Sequence, residues 1–219
     1  MAYPTVSKPY GLKPINLVGG QVFAGATRQR RIASGASSIG YGDPLQFDTD
    51  GTVKVTTATT AAPGTGFAGV FLGCTFVSSV TGQPTYSQSW ISGTSVKSGT
   101  YINAYVADDP NTLFQVVGVS GTTVVPTNTG IQYGDIGNNV ALVANTLNTT
   151  TGDSQQAILI SSAATTASLP LRIIDVVPDT AFDVSGTVYY PEIIVKFNAP
   201  YITGGALAGG HAYNLPLGT

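Results

Sequence analysis

The chain is short of charge, of thiols and of histidine. Asp, Glu, Lys and Arg supply only 9% of its 219 residues, where a typical soluble domain carries about 25%. Its hydrophobic share of 42% excludes the weakly hydrophobic, highly charged composition of a disordered chain. The polar surface must then be made by Thr, Ser, Asn, Gln and Gly. Such a surface solvates adequately but repels neighbours weakly, which suits a protein packed against copies of itself or a partner. A net charge of −2 argues against nucleic acid as a partner. A single cysteine, Cys74, excludes an intrachain disulfide, and with one histidine, His211, no metal site can be built from those two types. No run of about 18 apolar residues exists, so no membrane span is expected. The opening MAYPTVSKPYGLKP lacks the apolar core of a secretory signal, so assembly in a cytoplasm is expected.

Helical periodicity is also missing. No apolar i, i+3, i+4, i+7 pattern persists over a dozen residues of good helix formers. The chain is punctuated instead as a β protein. In PLQFDTDGTVKVTT (44–57), alternating runs flank Asp50-Gly51, a hairpin turn signal because Gly accepts positive φ cheaply. GVFLGCTFV (69–77) is almost continuously apolar and predicts a strand buried on both faces, with Cys74 an inert core thiol. GTYINAYVADDP (99–110) alternates, Asp108-Asp109-Pro110-Asn111 turns, and LFQVVGVS (113–120) returns. QQAILISS (155–162), LPLRIIDVVPD (169–179) and TVYYPEIIVKFN (187–198) read as further strands, while 138–160 is ambiguous in part. The expectation is an all-β fold: a compact β-barrel or β-sandwich body over 21–219 with little helix, and a subdomain boundary placed, if anywhere, in 121–137. Residues 1–20, broken by Pro4, Pro9 and Pro14, predict an extended N-terminal arm with a strand tucked onto its own body as the alternative. The Gly-rich, apolar tail after residue 198 is expected to dock rather than float.

Chemical motifs are sparse. Gly64-x-Gly66-x-x-Gly69 matches a dinucleotide fingerprint by letter, but a strand follows it and no helix N-terminus is offered to a phosphate. Neither a Gly-x-Ser-x-Gly elbow nor a Ser-x-x-Lys pair occurs. Asp48-x-Asp50 and Asp108-Asp109 lack the later bidentate Glu of a calcium loop. Glu192, the sole glutamate, has no evident carboxylate partner for glycoside hydrolysis. These features predict no enzymatic activity, no cofactor and no metal. The only basic cluster, Arg28, Arg30 and Arg31, suits an acidic partner surface; six of the nine basic residues lie in 1–60 against three of the eleven acids. Trp90 with Tyr86 and Tyr101 offers a stacking platform for a carbohydrate, against a core role for Trp90.

Three segments carry a resemblance: SKPYGLKPINLVGGQVFAGATR (7–28), YINAYVADDPNTLFQV (101–116), and PLRIIDVVPDT with YYPEIIVKFN inside 170–198. Together they resemble virion structural proteins of tailed phages, and in particular capsid decoration (cement) proteins. The resemblance implies a homotrimer on the exterior of the mature head, bound to the major capsid protein, with a β-rich body and an N-terminal arm that orders on the shell. Tyr3, Lys8, Tyr10, Lys13, Ile15, Leu17, Arg28, Arg30 and Arg31 are then the candidate capsid-binding residues. A tail, neck or fibre component of the same virion, or a carbohydrate-binding β module, is the alternative.

Overall fold

A computed structural model describes residues 6, 8–57, 59–121, 131, 133–181, 190–203 and 206–215. The described chain is all-β, as its punctuation predicts. The strands are β1 (Lys13–Leu17), β2 (Arg28–Arg31), β3 (Pro44–Phe47), β4 (Val53–Val55), β5 (Phe67–Val77), β6 (Pro84–Ser87), β7 (Asn103–Ala107), β8 (Thr112–Val119), β9 (Asn139–Val143), β10 (Ala157–Ala164), β11 (Leu171–Val176), β12 (Glu192–Phe197), β13 (Tyr201–Thr203) and β14 (Ala206–Ala208). The one α-helical turn described, α1, is Pro178–Ala181.

Two six-stranded sheets organise these strands, with β13–β14 a separate ribbon. In the first, β8, β10, β9, β11 and β12 pair in that order, and β12 pairs back onto β8, closing a five-stranded barrel. β1 joins it on Thr112–Gln115 of β8, the half of that edge that β10 leaves free. The second sheet runs β2-β7-β5-β3-β4, with β6 on the far half of β5. Its end strands meet at one point, a parallel bridge between Ile32 and Val53.

The Asp50-Gly51 hairpin forms with Leu45 opposite Val55 and Phe47 opposite Val53, and Gly51 takes φ +79°. β5 is buried on both faces because it divides two cores. Phe67 and Val70 point into the barrel core, with Phe114, Leu171, Ile193 and Phe197. Ala68, Phe71 and Cys74 point into the second core, with Ile39, Leu45, Val53 and Trp90. Gly69 lets β7 approach: a Cβ there would lie 2.3 Å from the Ala107 carbonyl oxygen, and its φ of +129° is one side chains avoid. Gly66 and Gly69 of the dinucleotide-like motif are thus accounted for by packing, Gly66 lying against Ala212.

Three stretches that the sequence left open are placed by the fold. From Pro9 onward the expected arm is built into the body: Gly11 N–H donates to the Gln156 carbonyl, Leu12 N–H to that of Gly42, and Leu12 is fully buried. The alternative reading, a strand on its own body, describes β1. The apolar tail likewise docks on its own chain, Phe67 N–H donating to the Gly210 carbonyl at 2.8 Å. The chain passes between the sheets at 18–27, from β1 to β2, and back at 108–111, from β7 to β8, while most of the expected boundary region, 122–130 with 132, falls outside the described residues.

Candidate functional site

Strand alternation splits the basic cluster. In a strand, residues two apart share a face, so Arg28 and Arg30 turn one way and Gln29 and Arg31 the other. Arg28 and Arg30 meet Asp108, at 2.9 Å from Arg28 Nε and 3.6 Å from Arg30 Nη2. Tyr213 O–H donates to the same carboxylate oxygen at 2.5 Å and accepts from Arg30. This knot engages two of the three arginines with one carboxylate and ties β2, the β7–β8 turn and the C-terminal segment together. Burial, then the Asp108 hydrogen bond, holds the Tyr213 phenol above its usual range.

Arg31 is left on the opposite face, where its guanidinium lies 3.6 Å from the ring centre of Tyr101. The register explains the contact: Arg31 pairs with Asn103, and Tyr101 is the diagonal neighbour two residues on. These two residues help line an open groove of about 780 Å³ at the mouth of the second sheet, with Lys97, Ser34, Ser98 and the Asp50–Thr52 turn. Sequence reasoning grouped Arg31 with the wrong neighbours and missed Lys97, which is far from any basic run.

The N-terminal candidates are mostly committed to the barrel. Tyr10 O–H donates to Glu192, and the Lys13 ammonium sits 3.9 Å from the Tyr10 ring centre. Burial and that carboxylate together push the Tyr10 phenol well above its usual range. Ile15 and Leu17 are half-buried in β1, Lys8 is exposed, and Tyr3 lies outside the described residues.

A second basic feature escaped the sequence reading altogether. Outside residues 1–60 the chain has only three basic residues, Lys97, Arg172 and Lys196. Two of these, Arg172 on β11 and Lys196 on β12, are direct cross-strand partners. Neither forms an ion pair among the described residues. They flank a shallow pocket of about 380 Å³ with Val18, Leu113, Ile174 and Ala199.

The remaining reactive groups are sequestered. His211 is 1% exposed; its Nδ1 accepts from Tyr213 N–H at 3.3 Å, and its ring packs 5.9 Å from that of Phe197. Burial pulls its pKa down to about 4, against the opposing pull of Asp108 and Asp109. Burial raises the Cys74 thiol to about 11. Asp43, buried at the junction of the sheets, accepts from Gly40 N–H at 2.7 Å, and burial raises its pKa to about 6. Trp90 is 5% exposed and packs edge-on against Phe76, so it forms no stacking platform with the exposed Tyr86 and Tyr101. Among the described residues, no group of three or more His, Cys, Asp or Glu side chains is placed to hold a metal ion. Comparison with protein-family models, with curated proteins and with solved structures returned no match, so the fold and these two basic features are the ground on which a function must be argued.

Proposed function

We propose that this protein is a structural decoration, or cement, protein of a tailed-phage head, bound as a trimer to the outside of the mature shell. The observation that carries the reading is the Arg172–Lys196 pair. Like charges directly opposite one another on antiparallel strands destabilise a sheet, and here the chain spends two of its few cations on that arrangement. A carboxylate from a partner relieves the repulsion and gains two charge-assisted hydrogen bonds. The apolar floor of Val18, Leu113, Ile174 and Ala199 adds contact area beside the charges. This is the pattern expected of a surface that meets an acidic, partly apolar protein patch.

Low overall charge and the resemblance over 7–28, 101–116 and 170–198 support the same reading. A trimer engages the shell at three points, so each contact needs only modest affinity. Anything that binds the assembled shell better than the loosened one stabilises it by mass action.

The test is the copy number in purified particles, measured by mass spectrometry against the major capsid protein. A ratio near one supports decoration. A handful of copies moves the protein to the tail or neck, and absence from the particle overturns the virion reading. Arg172→Glu should abolish binding to shells while leaving the fold intact. A truncation testing the N-terminal segment must stop before Pro9, because Leu12 and β1 belong to the barrel.

A further inference from the structure

We infer that the groove at the mouth of the second sheet is a binding site for a carboxylated saccharide. The inference is independent of the decoration reading, since it concerns a different face and a different class of ligand.

Charge comes first. Arg31 and Lys97 line the groove and have no acidic partner among the described residues. The one carboxylate on the rim, Asp50, is held in its own turn by Thr52 N–H at 3.0 Å and the Thr52 hydroxyl at 2.5 Å, and its single negative charge is outnumbered by the two cations. On a chain of net charge −2 the groove is therefore locally positive, and it selects an anion.

Geometry narrows the anion. Arg31 lies over the Tyr101 ring, 3.6 Å from its centre, and a guanidinium grips a planar carboxylate bidentately through its N–H groups. Stacking also restricts the long side chain in advance, so less freedom is lost on binding. Tyr101 remains 59% exposed, and exposed aromatic surface next to a cation is suited to the apolar C–H face of a sugar ring. Ser34 and Ser98 add hydroxyls able to donate to and accept from sugar hydroxyls. A groove of about 780 Å³ has room for a short oligosaccharide. Of the three cations that line the groove, Arg30 is paired with Asp108, and the two left are few for a nucleic acid, which presents a phosphate at every residue. An acidic peptide would satisfy the cations and its backbone could bond the serine hydroxyls, but an aspartate or glutamate chain offers no C–H ring face to the exposed Tyr101.

The experiment is calorimetric titration of the full chain with oligogalacturonate, with the neutral oligogalactose of equal length, and with an oligoglutamate peptide. Saturable binding of oligogalacturonate is expected, at least about tenfold tighter than the neutral sugar and weakening as salt rises. Arg31→Gln and Tyr101→Ala should each weaken it by about tenfold with the melting temperature unchanged, because both side chains are exposed. Failure of oligogalacturonate to bind, or equal binding by Arg31→Gln, overturns the inference. Tighter binding of the peptide than of the sugar also overturns it and assigns the groove to an acidic protein segment. Particle copy number is unaffected by any of these results, so the two proposals fail separately.

Discussion

The two sheets have similar strand numbers but are finished differently. In the barrel every strand has hydrogen-bonded neighbours on both edges, and the ladder from β12 returns to β8 over four residue pairs. In the second sheet the ends meet only through Ile32 and Val53. Its mouth stays open on that side, between the Asp50–Thr52 turn and the loop at 96–102, and the Arg31 groove occupies the opening. The barrel interior is closed by a cluster of rings, Phe67 stacked on Phe197 at 4.5 Å with Phe114 at 5.3 Å. Full closure removes exposed strand edges; partial closure leaves a concavity that a ligand can use. The stable half and the accessible half are then distinct, but β5 feeds side chains to both cores and couples them.

The most severe way to test that coupling is to break β5 itself. Gly69→Val should cost about 4 kcal/mol or more, because it adds both a backbone clash with Ala107 and a strained φ. If β5 joins the halves, Trp90 fluorescence in the second core and far-ultraviolet dichroism should lose structure together in urea. Two separated transitions would show that the halves fold independently.

Buried titratable groups give the next largest effect, and their signs oppose. His211 in the barrel has a folded pKa of about 4, below its ordinary 6.5. The unfolded chain therefore takes up the proton first, and His211 costs stability as pH falls from 6.5 to 4. Asp43 at the junction has a folded pKa of about 6, above its ordinary 3.8. There the folded chain takes up the proton first, so stability rises as pH falls from 6 to 3.8. Each effect spans about 3 kcal/mol, and they nearly cancel. Urea melts at pH 4 and 7 should show little change for the native chain. His211→Gln should become more stable at pH 4 than at 7, and Asp43→Asn should do the reverse.

A milder variant sharpens the contrast in closure. Ile32→Val should lower stability by about 1 kcal/mol. In native-state hydrogen exchange, the Ala33 amide, which bonds the Val53 carbonyl at 3.0 Å, should exchange faster than the Ile193 and Val195 amides of β12, which has paired strands on both edges. Equal protection would mean that the single bridge closes the second sheet as firmly as a ladder. The smallest effect belongs to Arg28→Ala. Its side chain is 62% exposed, so losing the Asp108 ion pair should cost under about 1 kcal/mol in a thermal melt.

The features legible in the sequence are those set by neighbours in the chain. Asp50-Gly51 makes its hairpin because a two-strand turn needs only local chemistry, and the run around Cys74 is buried because no face of it is polar. The fate of residues 9–17 and of the tail was legible only as a need to dock, since apolar groups call for cover without naming what covers them. The functional candidates were harder. The alternation separating Arg31 from Arg28 and Arg30 can be read from the letters, but Asp108, Tyr213 and Tyr101 reach β2 only through the fold.

The amino-acid sequence alone determined an all-β chain of low charge, without a disulfide and with a buried thiol, because composition and period-two patterning act over a few residues. Tertiary structure alone decided that one sheet closes and the other stays open, that two arginines share one carboxylate while a third is left in a groove, and that Arg172 faces Lys196. Those outcomes depend on strand register between segments distant in the chain, where a shift of one residue turns every side chain to the other face.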